Sequence, residues 1–277
     1  MQIPTLQQLL EAGVHFGHKV SRGNPRMKPY IYGARDGVSI IDLTLSEKGL
    51  KAAVEYVMDL GKSGGVLLFV GTKKQAQDIV REQAQKLGAP YLTHRWIGGF
   101  LTNFDEVSKN IKRLKEINEQ KEKGELSKYT KKEQLLIDRR RQQLERDLGG
   151  AKELEKLPDA IFLVDAAKED TAIREAARVG VKIVAIADTN CDPTLIDYPI
   201  PGNDDAIKSI KIMVEVIAEA YGEGKKEANT PEVKSKVRSK PDTSEVEKVE
   251  VIVPEEEVAA AEEILEKKEV EESERKV

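Results

Sequence analysis

The sequence has little of what marks a membrane protein or a protein of an oxidising compartment. It contains one cysteine, Cys191, so no disulfide can form within one chain. No run approaches the roughly 18 apolar residues of a membrane span. The segment Met1–Gln7 lacks the charged and apolar pattern of a signal peptide. We therefore expect a cytoplasmic protein that does not contact a membrane.

Apolar residues are also scarce, at 39% of the 277 residues, whereas 34% are charged. This balance predicts that part of the chain lies outside a compact core. The net charge of -4 arises mainly in residues 225–277, which hold 11 basic and 16 acidic residues. We expect that segment to be a disordered charged tail. Residues 1–224 hold 34 basic and 33 acidic residues, so an anionic partner remains possible.

Apolar runs of strand length alternate with amphipathic helical patterns along the chain. The predicted strands are 66–70, 91–93, 160–164 and 183–187, and the predicted helices are 46–61, 73–87, 169–179 and 204–221. Strands that are buried on both faces and separated by helices indicate a parallel sheet between two helical layers. The predicted fold is therefore a Rossmann-like three-layer α/β domain with about five parallel strands.

The N-terminal part of the chain is different. Thr5 is predicted to cap a short helix that ends at Ala12. Residues 30–33 and 38–41 form a predicted hairpin with an Asp-Gly turn. The segment between helix and hairpin lacks apolar periodicity, and we expect an extended loop there.

Residues 104–157 interrupt the α/β alternation. Phe104, Val107, Ile111, Leu114 and Ile117 form one narrow apolar stripe at coiled-coil spacing. After a break at Gly124, a capping box at Thr130 starts a second helix, whose stripe is Leu136, Leu144 and Leu148. We therefore predict an antiparallel helical hairpin, inserted into an α/β domain made of residues 1–103 and 158–224.

The turn at Gly71-Thr-Lys-Lys74 follows a predicted strand, where α/β folds bind phosphates. The nucleotide-binding motifs require more glycines at other spacings, so a tight turn with solvated lysines is the simpler interpretation. Asp165, Asp188 and Asp192 also follow strands and could hold magnesium in a phosphotransferase. Asp204 and Asp205 are interpreted as helix caps. A nucleotide- or phosphate-dependent enzyme stays open as an alternative.

Two histidines, His15 and His18, are spaced like a pair of metal ligands. A zinc site needs three or four protein ligands, and the other candidates, His94 and Cys191, are remote in sequence. We therefore expect no metal and no cofactor, and assign the histidines to packing or to phosphate binding.

The segment from Val14 to Arg35 holds five basic residues and no acidic residue. Basic residues interleaved with aromatic ones suit RNA, because cations meet phosphates while rings stack on unpaired bases. A second segment without acidic residues surrounds Arg95 and Trp96. The arginine run that starts at Arg139 is a further candidate. Solvated loops and a solvated helix face are the alternative interpretations.

Several motifs together resemble one known family. They are Gly17-His-Lys, Asn24-Pro-x-Met-x-Pro-Tyr-Ile31, Phe69-Val-Gly-Thr-Lys-Lys-Gln-Ala76, Arg95-Trp-Ile-Gly-Gly-x-Leu-Thr-Asn-Phe104, Ala187-Asp-Thr-Asn-Cys-Asp-Pro193 and Ile200-Pro-Gly-Asn-Asp-Asp-Ala-Ile207. In order and spacing, the sequence is similar to the bacterial small ribosomal subunit protein two family over about residues 1–222.

This resemblance implies a flavodoxin-like sheet with an inserted helical hairpin and a non-catalytic role. It implies binding of small-subunit ribosomal RNA between head and body. It also implies contact with neighbouring ribosomal proteins, including small-subunit protein one, which captures messenger RNA. No small-molecule substrate is expected. A protein–protein adaptor remains a third class of function. The predicted RNA-binding residues are His15, His18, Lys19, Arg22, Asn24, Arg26, Lys28, Tyr30, Arg35, Lys73, Lys74, Arg95, Trp96, Thr102, Asn103, Arg139 and Arg140.

Overall fold

The computed structural model describes residues 3–228. The helices are α1 (Leu6–Glu11), α2 (Leu43–Lys62), α3 (Lys74–Leu87), α4 (Phe104–Glu122), α5 (Lys131–Leu148), α6 (Asp170–Val179) and α7 (Ile207–Ala228). The strands are β1 (Phe16–Lys19), β2 (Ile31–Arg35), β3 (Val38–Ile41), β4 (Leu67–Val70), β5 (Tyr91–Leu92), β6 (Ala160–Leu163), β7 (Lys182–Ala187) and β8 (Tyr198–Pro201). Within this region, no helix is both long and apolar enough to cross a membrane.

The centre of the fold is a parallel sheet in the order β5-β4-β6-β7-β8. Alternate residues of β4 face opposite ways because successive side chains of a strand point to opposite faces. Leu67 and Phe69 pack with α2, α3 and α7, whereas Leu68 and Val70 pack with α6 and the base of the α4–α5 pair. The predicted three-layer α/β fold is confirmed.

The sequence did not predict the fifth strand, β8. Its sequence, Tyr-Pro-Ile-Pro, contains two prolines, which cannot donate to a strand ladder. The strand is tolerated because it lies at the edge of the sheet, where only β7 pairs with it. The two prolines are therefore the reason that the sequence pattern did not predict β8.

Local capping signals were reliable. Capping boxes at Thr5 and Thr130 start α1 and α5. Gly88 ends α3 in the left-handed conformation, at φ 58°. The β2–β3 turn has positive φ at both Asp36 (52°) and Gly37 (77°), as a tight hairpin turn requires. The hairpin predicted from the Asp-Gly pair is confirmed.

The α4–α5 pair is an antiparallel hairpin inserted between β5 and β6. Lys121 of α4 lies 3.2 Å from Asp138 of α5, and Asn118 of α4 lies 3.4 Å from Glu145 of α5, so the two helices run antiparallel. The apolar stripe of α4 is buried from Val107 to Ile117. On α5 the predicted stripe was wrong at Leu136, which is 54% exposed, because only the base of this helix is covered.

Two further expectations were wrong. The predicted loop between α1 and the hairpin contains β1 and two short 3-10 helices, Val20–Arg22 and Pro25–Tyr30. Asp204 and Asp205 do not cap α7, because the Asn203 side chain accepts from the backbone N–H groups of Asp205 and Ala206. The helix continues to Ala228, past the predicted start of the tail at residue 225. Residues 229–277, predicted to be disordered, lie outside the described residues.

Candidate nucleic-acid interface

The basic segment, residues 14–35, is folded back onto the carboxyl end of β7. The backbone N–H of Asn24 donates to the carbonyl of Thr189 at 2.8 Å. The backbone N–H of His18 donates to the Thr189 hydroxyl at 2.9 Å. A Cβ on Gly17 would lie 2.5 Å from a Thr189 methyl group, so the close approach requires glycine there. These contacts fix the backbone from which the basic side chains project.

Besides Arg26, four cations of the basic segment are exposed: Lys19, Arg22, Lys28 and Arg35. Among residues 3–228, the first three have no ion-pair partner, and Arg35 approaches only Asp36, at 3.8 Å. Exposed cations without internal partners leave a positive surface that an anion can neutralise. The structure therefore leaves exposed the basic residues on which the RNA interpretation rests.

Other polar residues of the segment have partners inside the protein. The Arg26 guanidinium pairs with Asp192, although its side chain is 62% exposed. The Asn24 side chain accepts from the backbone N–H of Arg26 and so starts the second 3-10 helix. Tyr30 is half-buried against the apolar core. Asn24 and Tyr30 therefore shape the segment, whereas Arg26 is exposed but already paired.

The two histidines of the segment have different environments. His15 is half-buried beside Phe16, with ring centroids 4.0 Å apart, and burial lowers the pKa of its imidazole. Nδ1 of His18 lies 3.1 Å from a carboxylate oxygen of Asp188. The attraction of Asp188 raises the pKa of the His18 imidazole, against the opposing effect of burial. His18 therefore belongs as much to the end of β7 as to the basic segment.

Lys73 is held by three carboxylates. Its amine lies 2.6 Å from Asp204, 2.7 Å from Asp205 and 3.3 Å from Asp165, and the side chain is 14% exposed. Burial lowers the pKa of Lys73, but the hydrogen bonds to Asp204 and Asp205 outweigh it and leave the pKa raised. Burial, with Asp165 and Asp188 nearby, raises the pKa of Asp204 to about 7. The amine of Lys73 is thus engaged within the protein, whereas Lys74 is exposed.

The rest of the predicted phosphate turn is also filled by the protein. Gly71 is required by packing rather than by a turn conformation, because a Cβ there would lie 2.7 Å from a Val80 methyl group. The Thr72 hydroxyl donates to the buried Glu169. The Lys168 amine donates to the Thr72 carbonyl at 3.0 Å. The sheet edge where α/β enzymes bind nucleotides therefore holds internal polar contacts.

The loop around Trp96 is held by one carboxylate from α6, Glu175. Its Oε1 accepts from the indole N–H of Trp96 at 3.1 Å and from the backbone N–H of Gly99 at 2.8 Å. Its Oε2 accepts from the backbone N–H of Leu101 and from both the backbone N–H and the hydroxyl of Thr102. Burial alone raises the pKa of Glu175, but these hydrogen bonds outweigh it and hold the pKa below its ordinary value.

The remaining predicted residues lie on other elements. Arg95 is 59% exposed and pairs with the buried Asp147 at 3.3 Å. Asn103 is exposed just before α4. Arg139 and Arg140 are exposed on α5 and so belong to the helical hairpin rather than to the basic segment. The predicted residues therefore occupy several surfaces, of which the basic segment is the most concentrated.

Sequence reasoning missed the two residues that position these loops, Glu175 and Thr189. Glu175 lies on the inward face of α6 between Ala172 and Ala176, both buried. A glutamate on an apolar helix face is a signal, because a buried carboxylate requires partners. Thr189 carries no comparable signal, since its partners are distant in sequence.

Fold and site together define a class of protein. It is a Rossmann-like α/β protein with an inserted helical hairpin, an exposed basic segment, and internal polar contacts at the carboxyl ends of the strands. Comparison with known proteins specifies this further. The profile of the family described as ribosomal protein S2 matches residues 9–224. The chain belongs to this family, as its motifs indicated.

Two relatives illustrate the match, and both are named small ribosomal subunit protein uS2. The protein of Coprothermobacter proteolyticus is 50% identical over 225 residues, which cover 81% of this chain and 84% of that protein. The protein of Geotalea uraniireducens is 51% identical over 220 residues, which cover 79% of this chain and 86% of that protein.

Proposed function

We propose that this chain is a structural component of the small ribosomal subunit and that its basic segment binds ribosomal RNA. The single observation that carries the RNA contact is the exposure of Lys19, Arg22 and Lys28, which have no ion-pair partner within residues 3–228. Neutralising a phosphate with a cation releases condensed counterions, which favours binding. Membership of a ribosomal protein family and the names of its relatives support the same assignment.

The finer assignment rests on the family resemblance. We propose that the chain lies between the head and body of the subunit and helps to dock small-subunit protein one for messenger RNA binding. Leu6, Leu10 and Tyr32 are exposed around one groove, at 42%, 51% and 82%. Exposed apolar side chains that cluster in this way are typical of contacts between proteins. This groove supports a protein partner in addition to RNA.

The RNA contact is tested by replacing Lys19, Arg22 and Lys28 with alanine together. We expect weaker binding to small subunits that lack this protein. The slope of log affinity against log salt should fall by about three, roughly one unit for each lost phosphate contact. Binding is measured by co-sedimentation at several salt concentrations.

The matched control replaces three other exposed cations with alanine: Arg81 and Lys86 on α3 and Lys211 on α7. This triple substitution removes the same amount of positive charge. The control should keep the wild-type slope. An unchanged slope in the first variant, or an equal loss in both, would show that the basic segment is not the RNA contact.

The enzyme alternative makes a different prediction. Because Lys73 is held by carboxylates, we expect no saturable binding of ATP or GTP in calorimetry with the full chain. Saturable nucleotide binding that is lost on replacing Lys74 would favour the enzyme. A protein adaptor would instead be captured with a protein partner even after nuclease treatment.

A further inference from the structure

One cluster at the carboxyl edge of the parallel sheet is not used by the proposed function. It consists of His18 from β1, Asp188 just after β7 and Asp204 from the turn before α7. Each offers one possible ligand atom, and these atoms lie within 4.8 Å of one another. The sequence did not indicate this grouping, since its histidines were compared only with one another and with Cys191.

Asp204 provides the first sign that a group is missing from this cluster. Its side chain is 1% exposed, and its Oδ1 lies 2.6 Å from the amine of Lys73. Its Oδ2 is buried and has no hydrogen-bond partner among residues 3–228. A buried carboxylate oxygen without a partner is costly, because it has lost its hydration and gained nothing in return.

His18 provides the second sign. Its Nδ1 is also buried without a hydrogen bond in the described part of the chain, although Asp188 Oδ2 is only 3.1 Å away. Two ligand atoms each ~2.1 Å from one zinc ion lie ~3.0–3.4 Å apart for angles of ~90–109°. The observed separation is the one expected of two ligands to one ion.

The surrounding charge favours a cation. Three carboxylates, Asp165, Asp204 and Asp205, face the amine of Lys73, and a fourth, Asp188, faces the imidazole of His18. A divalent ion would offset this excess of negative charge. One imidazole with two carboxylates suits zinc-like ions, whereas magnesium and calcium prefer oxygen ligands alone.

We propose that His18, Asp188 and Asp204 bind one divalent transition-metal cation of the zinc class. Bringing the widest pair of ligand atoms to ~3.4 Å requires side-chain movement of ~1 Å. Water completes the coordination on the side of Asp205, which is 58% exposed and leaves access from solvent. The ion would tie β1 of the basic segment to the parallel sheet. The site goes beyond RNA binding and does not depend on it.

The test is calorimetric titration of Zn²⁺ into the metal-free full chain. We expect one zinc per chain and a rise in the unfolding temperature. Asp204→Asn should weaken zinc binding by at least about 100-fold, because it removes a ligand. Two controls should bind as the wild type does: Asp78→Asn, an exposed carboxylate on α3, and Cys191→Ala, the single thiol.

Three results would overturn the proposal. They are the absence of saturable binding, unchanged affinity in Asp204→Asn, and loss of binding in Cys191→Ala.

A second measurement needs no variant and so remains decisive if Asp204→Asn does not fold. Diethyl pyrocarbonate modifies unligated histidine, and mass spectrometry reports each site separately. Free zinc at 100 times its Kd should slow modification of His18 about 100-fold, by mass action. The exposed His94 serves as the internal reference and should react at an unchanged rate. Equal modification of His18 with and without zinc would contradict the proposal.

Discussion

Replacing Glu175 with alanine is expected to lower the free energy of unfolding by about 3–5 kcal/mol. The substitution leaves the indole N–H of Trp96 and the backbone N–H groups of Gly99, Leu101 and Thr102 without their acceptor. A buried donor that loses its partner costs roughly 1–3 kcal/mol. The N–H of Leu101 is buried, and the other three donors, which are part-buried, add to its cost. Chemical denaturation measures the change, and Trp96 fluorescence reports the loop itself.

Glu175→Gln removes the charge of the side chain and keeps its size, so it tests the role of the carboxylate itself. Glutamine fills the same space, but its amide nitrogen would face N–H donors where a carboxylate oxygen accepts them. We therefore expect this variant to be destabilised as well. Arg174→Ala is the matched control on the same helix, since it removes only a surface ion pair with Asp170 at 2.8 Å. Wild-type stability in Glu175→Gln would show that the carboxylate does not hold the loop.

Glu175 is also expected to make the stability of the folded protein depend on pH. The folded-state pKa of Glu175 is held below its ordinary value of 4.5. The ionised carboxylate therefore adds stability that is present above that pH and is lost as the pH falls through the folded-state pKa. Wild-type protein should lose more stability than Glu175→Gln over this acidic range, since glutamine does not titrate.

Elements defined by nearby residues could be predicted from the sequence. The β4 run ending at Val70 is apolar on both faces, and Thr130 with Glu133 forms a complete capping box. In each case the physical cause lies within a few residues, so the sequence displays it. The Asp36-Gly37 turn is predictable for the same reason.

Features defined by distant partners could not be predicted. Asp204 is a residue type that often caps helices, and it directly precedes one. Its partner is instead Lys73, which is 131 residues away in the sequence. The Trp96 segment resembles an open loop until Glu175 is known to accept its hydrogen bonds. Which polar residue is engaged inside the protein, and which remains available to RNA, is decided by the tertiary fold.

Replacing Gly224 with alanine is expected to destabilise the protein by about 3 kcal/mol. Helices α2 and α7 approach each other closely at Gly61 and Gly224. A Cβ at Gly224 would lie 2.2 Å from the Met58 carbonyl oxygen and 3.0 Å from the Cα of Gly61. Backbone atoms cannot rotate away as side chains do, so α7 would have to shift on the sheet face that it covers.

Gly222→Ala is the matched control for this prediction, with the same substitution half a turn away on α7. The closest atom to its new Cβ is a Leu87 methyl group at 2.8 Å, at the end of a side chain that can rotate. Alanine also gains up to about 1 kcal/mol of helix propensity over glycine, in both variants. Unfolding curves should therefore place Gly222→Ala near the wild type and Gly224→Ala well below it. Equal stability of the two variants would mean that α2 and α7 separate more easily than their glycine contact indicates.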